Sequence, residues 1–375
     1  MQFRKVIGQE KVKQRLINSV KQQRIPHAQL FFGPGGCGSL PLAIAYAQYI
    51  SCTNKQGDDS CGNCPSCHKY EKLAHPDLHF AYPVNTSKEV SKDPVSDDYI
   101  NQWRQQVLVN PYFRSNQWYN VIGIENKQGL ISKNESEQII RKLNLKSFES
   151  DYKILILWLP EKMNATSANM LLKLIEEPPE NTIFLLVSEE PDEVLLTISS
   201  RTQPVKLSRI DPEQIIPALE NNYHVGGEEA KNVARLANGN YIAALEFLEQ
   251  SEENKFNFEK FTSFMRLCYQ RNIPEINSWV DELTASGREN LKSFFNYSLH
   301  MIRENFIMNL KENEIVYLST DEENFSDRFH PFINGRNIQS ITNEFNMAVA
   351  DIERNANAKI VLFDMALKIV KLIRK

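Results

Sequence analysis

Four cysteines, Cys52, Cys61, Cys64 and Cys67, stand at the spacing C-x8-C-x2-C-x2-C. Thiolates this close in the chain converge readily on one tetrahedral ion, and four sulfurs leave no open coordination position. The chemistry read here is therefore a structural zinc module at residues 52–67. Cys64-Pro65-Ser66-Cys67-His68 also spells C-x-x-C-H, the haem-attachment pattern. That chemistry belongs to exported chains and leaves Cys52 and Cys61 without a role, so zinc is preferred over haem, and also over four unliganded thiols. His68 follows Cys67 directly and is read as a surface histidine, because adjacent residues rarely both reach one tetrahedral ion. His75 and His79 flank Pro76-Asp77-Leu78. A metal site and a turn entering a strand are both open there, and the turn is preferred. Cys37 and Cys268 read as small buried apolar residues.

A second constellation is Gly33-Pro34-Gly35-Gly36-Cys37-Gly38, between the apolar run Ala28-Gln29-Leu30-Phe31-Phe32 and a helical stretch at residues 40–50. A phosphate-binding loop has the form G-x-x-x-x-G-K-[ST]: amides cradle phosphates, lysine reaches the terminal ones and the hydroxyl holds magnesium. Gly33, Gly35 and Gly38 keep the turn, but Ser39 stands for the lysine and Leu40 for the hydroxyl. A charged hydrogen bond is worth about 1.5–3 kcal/mol, so the missing lysine alone weakens nucleotide binding roughly 10–100-fold. The strand that should end in magnesium-binding acids, Lys153-Ile154-Leu155-Ile156-Leu157, runs instead into Trp158-Leu159-Pro160. Glu161 follows and reads as the start of a helix. ATP binding is expected to be weak and hydrolysis absent. A third candidate, Arg201 in Ile198-Ser199-Ser200-Arg201-Thr202, says little by itself.

The elements that must hold these residues follow from periodicity. Residues 9–23 are helical, with Val12, Leu16 and Val20 at fourfold spacing. Strand, glycine loop and helix come next, then the cysteine module and an elaborated insertion at about residues 83–130. Helix 136–145, strand 153–159, helix 165–176 ended by Pro178-Pro179, and strand 182–187 make an alternation that argues for a parallel sheet flanked by helices. Strands are expected to stop at Pro204. Residues 212–248 read as a small helical unit broken at Gly239. Leu291, Phe295, Leu299, Ile302, Phe306 and Leu310 form one apolar stripe, and Ile338, Ile341, Phe345, Ala348 and Ile352 another, both read as core or subunit packing.

With 375 residues the chain is long enough for two to four domains, and 43 basic against 47 acidic side chains give a net charge of −4. That balance argues against a free-standing nucleic-acid binder, including a zinc-dependent one. No apolar run approaches the ~18 residues of a membrane helix. The first residues lead into a charged amphipathic segment, so a cytoplasmic, reducing location without membrane attachment is expected.

Together these residues resemble the clamp-loader branch of the AAA+ family of bacterial DNA polymerase III. The resemblance rests on Val6-Ile7-Gly8-Gln9-Glu10, Ile25-Pro26-His27-Ala28, the loop from Gly33, the four cysteines with His75-Pro76-Asp77, and Glu161-Lys162-Met163-Asn164. It continues through Ala168-Asn169-Met170-Leu171-Leu172-Lys173, Glu176-Glu177-Pro178-Pro179 and Thr197-Ile198-Ser199-Ser200-Arg201, with Thr202 where the family has cysteine. Arg354-Asn355-Ala356-Asn357 is the best echo in the tail. The resemblance implies an AAA+-like domain over residues 1–206, a helical lid over 207–252 and an all-helical collar for oligomerisation over 253–375. It implies that Arg201 is a finger completing a neighbour's ATP site, and that Ile242 replaces the family's second sensor arginine, as in delta-prime-like chains. The implied partners are gamma/tau-like motor subunits and a delta subunit, with the sliding clamp and primer-template DNA reached through the complex. An ATP-hydrolysing motor subunit is the alternative.

Overall fold

The computed structural model describes residues 1–125, 127–309, 318, 320–354 and 356–374. Leu310 of the first stripe and Asn355 of the tail echo lie outside the described residues. The chain divides into two compact units, Met1–Phe247 and Leu248–Lys375.

The first unit is built on a five-stranded sheet: β1 (Ala28–Phe32), β2 (Leu78–Ala81), β3 (Lys153–Trp158), β4 (Thr182–Ser188) and β5 (Gln203–Lys206), in the order β2-β3-β4-β1-β5. Every pair is parallel, with Ala28 against Phe184, Lys153 against Thr182, and Gln29 against Gln203. The expected parallel α/β layer is thus present. A parallel sheet needs cover on both faces, and the strands show it: β3 and β4 are buried along their whole length. Phe31, Ile154, Ile156, Trp158, Leu185 and Val187 face one apolar layer, and Leu30, Leu155, Leu157, Phe184 and Leu186 the other.

The first layer carries α1 (Glu10–Lys21), α2 (Ser39–Ser51) and α3 (Pro65–Glu71). Almost all of α2 is buried, as its nearly unbroken apolar sequence requires. The same layer takes in the insertion, which folds into α4 (Ile100–Val109) and α5 (Ser115–Val121). There Trp103 stacks on Tyr82 at 4.1 Å and meets Trp118 edge-on at 5.3 Å. The insertion therefore contributes Tyr99, Trp103, Val107, Phe113 and Trp118 to this core. The second layer carries α6 (Lys133–Leu143), α7 (Ala165–Glu176) and α8 (Leu196–Ser199). Asn164 caps α7, accepting from Ser167 N at 2.8 Å.

A fifth strand lies where none was expected. Gln203-Pro204-Val205-Lys206 buries only Val205, so it shows no apolar run, and proline is tolerated because this is an edge strand. Beyond it, α9 (Pro212–Tyr223) and α10 (Gly227–Ala237) pack together, and α11 (Tyr241–Gln270) begins after Gly239.

The second unit is all-helical: the rest of α11, then α12 (Ile273–Ala285), α13 (Arg288–Asn309), α14 (Thr320–Phe329), α15 (Ile338–Glu353) and α16 (Ala358–Leu372). Leu291, Phe295 and Ile302 of one stripe and Ile341, Phe345, Ala348 and Ile352 of the other share its core, with Leu299, Phe306 and Ile338 packed against it. Among the described residues no helix is long and apolar enough to cross a membrane.

Candidate functional site

The glycine loop leaves the carboxyl end of β1 and delivers the chain into α2, as a phosphate loop would. Gly36 and Gly38 adopt φ of +68° and +89°, and a Cβ on Gly36 would fall 1.9 Å from Asn240 Oδ1. Tyr241 N donates to Gly36 O at 3.3 Å. The start of α11 thus sits directly on the loop. Gly33, Gly35, Gly38 and Ser39 line a cavity of only about 40 Å³, closed by Tyr112, Trp158 and Ile242 among others. Ligand pockets run to roughly 300–1,000 Å³. Ser39 Oγ lies 3.3 Å from Cys37 Sγ, a short polar contact with no cationic reach.

Gly33, Gly35, Gly38, Ser39, Trp158 and Ile242 were singled out in the sequence. Tyr112 and Asn240 were not. Tyr112 comes from the insertion, and its hydroxyl accepts from Ile7 N at 2.9 Å. Next to it, Arg114 makes a two-pronged pair with Glu246 of α11, at 2.9 and 3.2 Å. The available signal was the run Asn110-Pro111-Tyr112-Phe113, a turn-forming dipeptide followed by two aromatics.

Glu161 does not begin a helix. It lies in a single 3-10 turn, Pro160–Lys162, and its Oε1 accepts from Glu189 N and Glu190 N at 2.9 and 3.1 Å. The carboxylate pins the turn that follows β4, and burial pushes its pKa up.

Arg201 stands between α8 and β5. Because β5 runs parallel to β1, with Gln203 opposite Gln29 and Lys206 opposite Phe32, Arg201 lies at the amino end of the strands and Gly33 at the carboxyl end. The intervening strand is about 10 Å long at ~3.3 Å per residue. The side chain is 38% exposed, pairs with Glu176 through Nε, and donates from Nη1 to Thr197 O at 2.9 Å. An exposed pair of this kind is worth at most about 1 kcal/mol, so little holds the guanidinium in place.

The four cysteines converge. Cys52 ends α2, Cys64 caps α3 and Cys67 lies in its first turn. All four sulfurs lie within 4.8 Å of one another, with Cys52–Cys61 at 3.6 Å, Cys61–Cys67 at 3.9 Å and Cys52–Cys64 at 4.0 Å. A tetrahedral ion bound at ~2.3 Å needs sulfurs about 3.8 Å apart, so the cluster could hold a metal ion. Backbone amides support it: Cys61 N donates to Cys52 Sγ, Asn63 N and Cys64 N to Cys61 Sγ, and Cys67 N to Cys64 Sγ, at 3.3–3.4 Å. Burial pushes the Cys64 thiol up, but hydrogen bonds from Thr53 and Cys67 carry it down to about 5. His68 is exposed and stays outside the cluster. His75 belongs to a turn entering β2, its Nδ1 accepting from Asp77 N at 3.1 Å. His79 is on β2 itself, and burial lowers its pKa to about 4. Cys37 and Cys268 are buried.

Known proteins are similar to this chain in sequence. DNA polymerase III subunit delta' of Bacillus subtilis is 28% identical over 263 residues, which is 70% of this chain and 66% of that protein. Its counterpart in Haemophilus influenzae is 29% identical over 64% of this chain and 61% of its own length. DNA polymerase III subunit tau of Bacillus subtilis is 26% identical over 66% of this chain and 37% of its own. The chain thus matches less than two thirds of the length of these relatives. A solved Thermotoga maritima structure, a gamma subunit-related protein of DNA polymerase III, aligns over 96% of this chain and 99% of its own at 13% identity and a TM-score of 0.38, too low to carry a fold argument. The sequence profile that matches residues 8–211, more than half of the chain, is that of the family described as DNA polymerase III, delta subunit, and the chain belongs to that family.

Proposed function

We propose that this chain is a non-hydrolysing, delta-prime-like subunit of a clamp loader. In this reading Arg201 enters the ATP site of a neighbouring gamma/tau-like motor subunit and helps couple ATP turnover to loading a sliding clamp on primer-template DNA. A delta subunit completes the assembly. Residues 1–206 form the AAA+-like body, 207–252 its lid and 253–375 the collar that joins the partners.

The observation that carries the reading is the separation of Arg201 from the chain's own glycine loop. An exposed guanidinium at the far end of the sheet from Gly33 has no access to its own loop. Its partners are the surface carboxylate of Glu176 and the Thr197 carbonyl, and it is available to another molecule's phosphates. The glycine loop offers Ser39 and Leu40 where lysine and a hydroxyl are needed.

Cys52, Cys61, Cys64 and Cys67 would hold zinc. Sulfur spacing and amide donors suit a closed thiolate site, and the ion's contribution there is structural.

Reconstituting the chain with motor and delta subunits tests the proposal. Arg201→Ala should leave the assembly intact by size-exclusion chromatography and slow ATP turnover at the one site it completes by about the 10³–10⁵-fold that an arginine finger supplies, seen as a lower turnover of the assembly. Unchanged turnover would refute the role.

A further inference from the structure

Ser39 for lysine and Leu40 for the hydroxyl remove two of the chemical groups an ATP site needs. The geometry points to a second barrier. We propose that Tyr112 is a resident plug: the insertion places its ring where a nucleotide would seat, and this steric occupancy excludes ligand independently of the lost lysine and hydroxyl. The inference rests on the reading of the 33–40 loop as a former phosphate site.

Four contacts define the plug. The ring lies against Gly38, where even a Cβ would approach Tyr112 Cε1 to 3.1 Å. The hydroxyl takes the Ile7 amide at 2.9 Å, joining the segment before α1 to the loop. On its other side the ring meets Tyr241 edge-on at 4.9 Å, at the first residue of α11. Two residues along, Arg114 grips Glu246 with both prongs of its guanidinium. A single segment therefore ties the pre-α1 turn, the glycine loop and α11. The glycine loop, Tyr112, the start of α11 at Ile242 and the ends of β3 and β4 at Trp158 and Ser188 line the former phosphate site, and only about 40 Å³ is left among them. Tyr112 is 6% exposed and Asn110 fixes its turn, accepting from Tyr112 N and donating to Tyr112 O, both at 2.9 Å. The plug is thus held by its own backbone and is not a loosely inserted side chain.

Restoring the lost chemistry separates the two barriers. Magnesium-ADP binding is measured by titration calorimetry on the full chain carrying S39K/L40T, Y112A, or all three substitutions. The plug requires that S39K/L40T alone bind no better than wild type. The triple variant should bind at least about 10–100-fold more tightly than either, the range a lysine–phosphate hydrogen bond supplies. Binding by S39K/L40T that equals the triple variant would overturn the proposal. So would a triple variant with wild-type circular dichroism that fails to bind.

If Y112A does not fold, Tyr112→Phe decides. It keeps the ring and deletes one hydrogen bond, so exchange of the Ile7 amide should quicken by about 2–12-fold while Cys37–Leu42 amides stay at the wild-type rate. An unchanged Ile7 rate would overturn the assignment. None of these arms reads a neighbour's ATP turnover, so their failure is distinct from failure of the Arg201 role.

Discussion

Replacing Cys61 with serine tests the metal reading where the structure is most quantitative. Cys61 Sγ lies 3.6 Å from Cys52 Sγ and 3.9 Å from Cys67 Sγ, and takes two backbone amides, so it is central to the cluster. Serine keeps the size and removes the thiolate. Structural zinc is worth roughly 10–16 kcal/mol in small domains, so one ligand of four accounts for about 3 kcal/mol. At ~1.4 kcal/mol per decade, affinity should fall about 100-fold. Little apolar packing would compensate, because the cysteines form a small cluster of their own. What binds the module to the body is polar. Gln2 Nε2 donates to Ser60 O at 2.6 Å, and Phe3 N and Arg4 N donate to the Asp59 carboxylate at 2.9 and 3.1 Å. The damage should therefore be local. Native mass spectrometry should find one zinc per wild-type chain and partial occupancy in C61S. Hydrogen exchange should quicken in residues 2–4 and 53–68 while the sheet keeps its rate. A wild-type chain that carries no zinc after purification with the metal supplied, or identical exchange in the two proteins, would refute the reasoning.

Three further outcomes follow from other sites. Arg201→Ala should change thermal stability by less than about 1 kcal/mol in a melting experiment, because its exposed partner Glu176 contributes little. Asp77 accepts from Phe148 N, Glu149 N and Ser150 N at 2.6, 2.8 and 2.8 Å; burial pushes its carboxyl up, but these amides hold it below its ordinary value. A depressed folded pKa gives stability that is present above about pH 4 and lost as pH falls, so Asp77→Asn should flatten the acid limb of a pH–stability curve. Buried Glu135 behaves oppositely. Burial raises its pKa to about 7, so its contribution is full below about pH 4.5 and is lost as pH rises toward 7. Glu135→Gln should remove that decline, up to about 3 kcal/mol in denaturant melts at pH 8.

The elements that bury continuous apolar runs were legible, because a parallel sheet covered on both faces writes itself as strands such as Ile154-Leu155-Ile156-Leu157. The cysteine cluster was legible because its ligands are close in sequence and need one fold of chain to meet. β5 was not, since an edge strand shows only Val205 to the core and tolerates Pro204. Tyr112 was legible only as part of a turn followed by aromatics: its partners Ile7, Gly38 and Tyr241 are remote in the chain, and no local pattern records their meeting. Glu161 misled because a carboxylate ahead of a helix reads as its first turn. In the structure it serves two amides across the sheet's end.

The position of Pro204 has a consequence for how the molecule avoids unwanted polymerisation. Leu207 N donates to Phe32 O, so the odd-numbered amides around β5 face β1 and the even-numbered positions, Pro204 and Lys206, face outward. One of those has no N–H to give, and the other carries a cation. A foreign extended peptide arriving at this border finds almost no ladder to continue, and the sheet ends there for want of a donor.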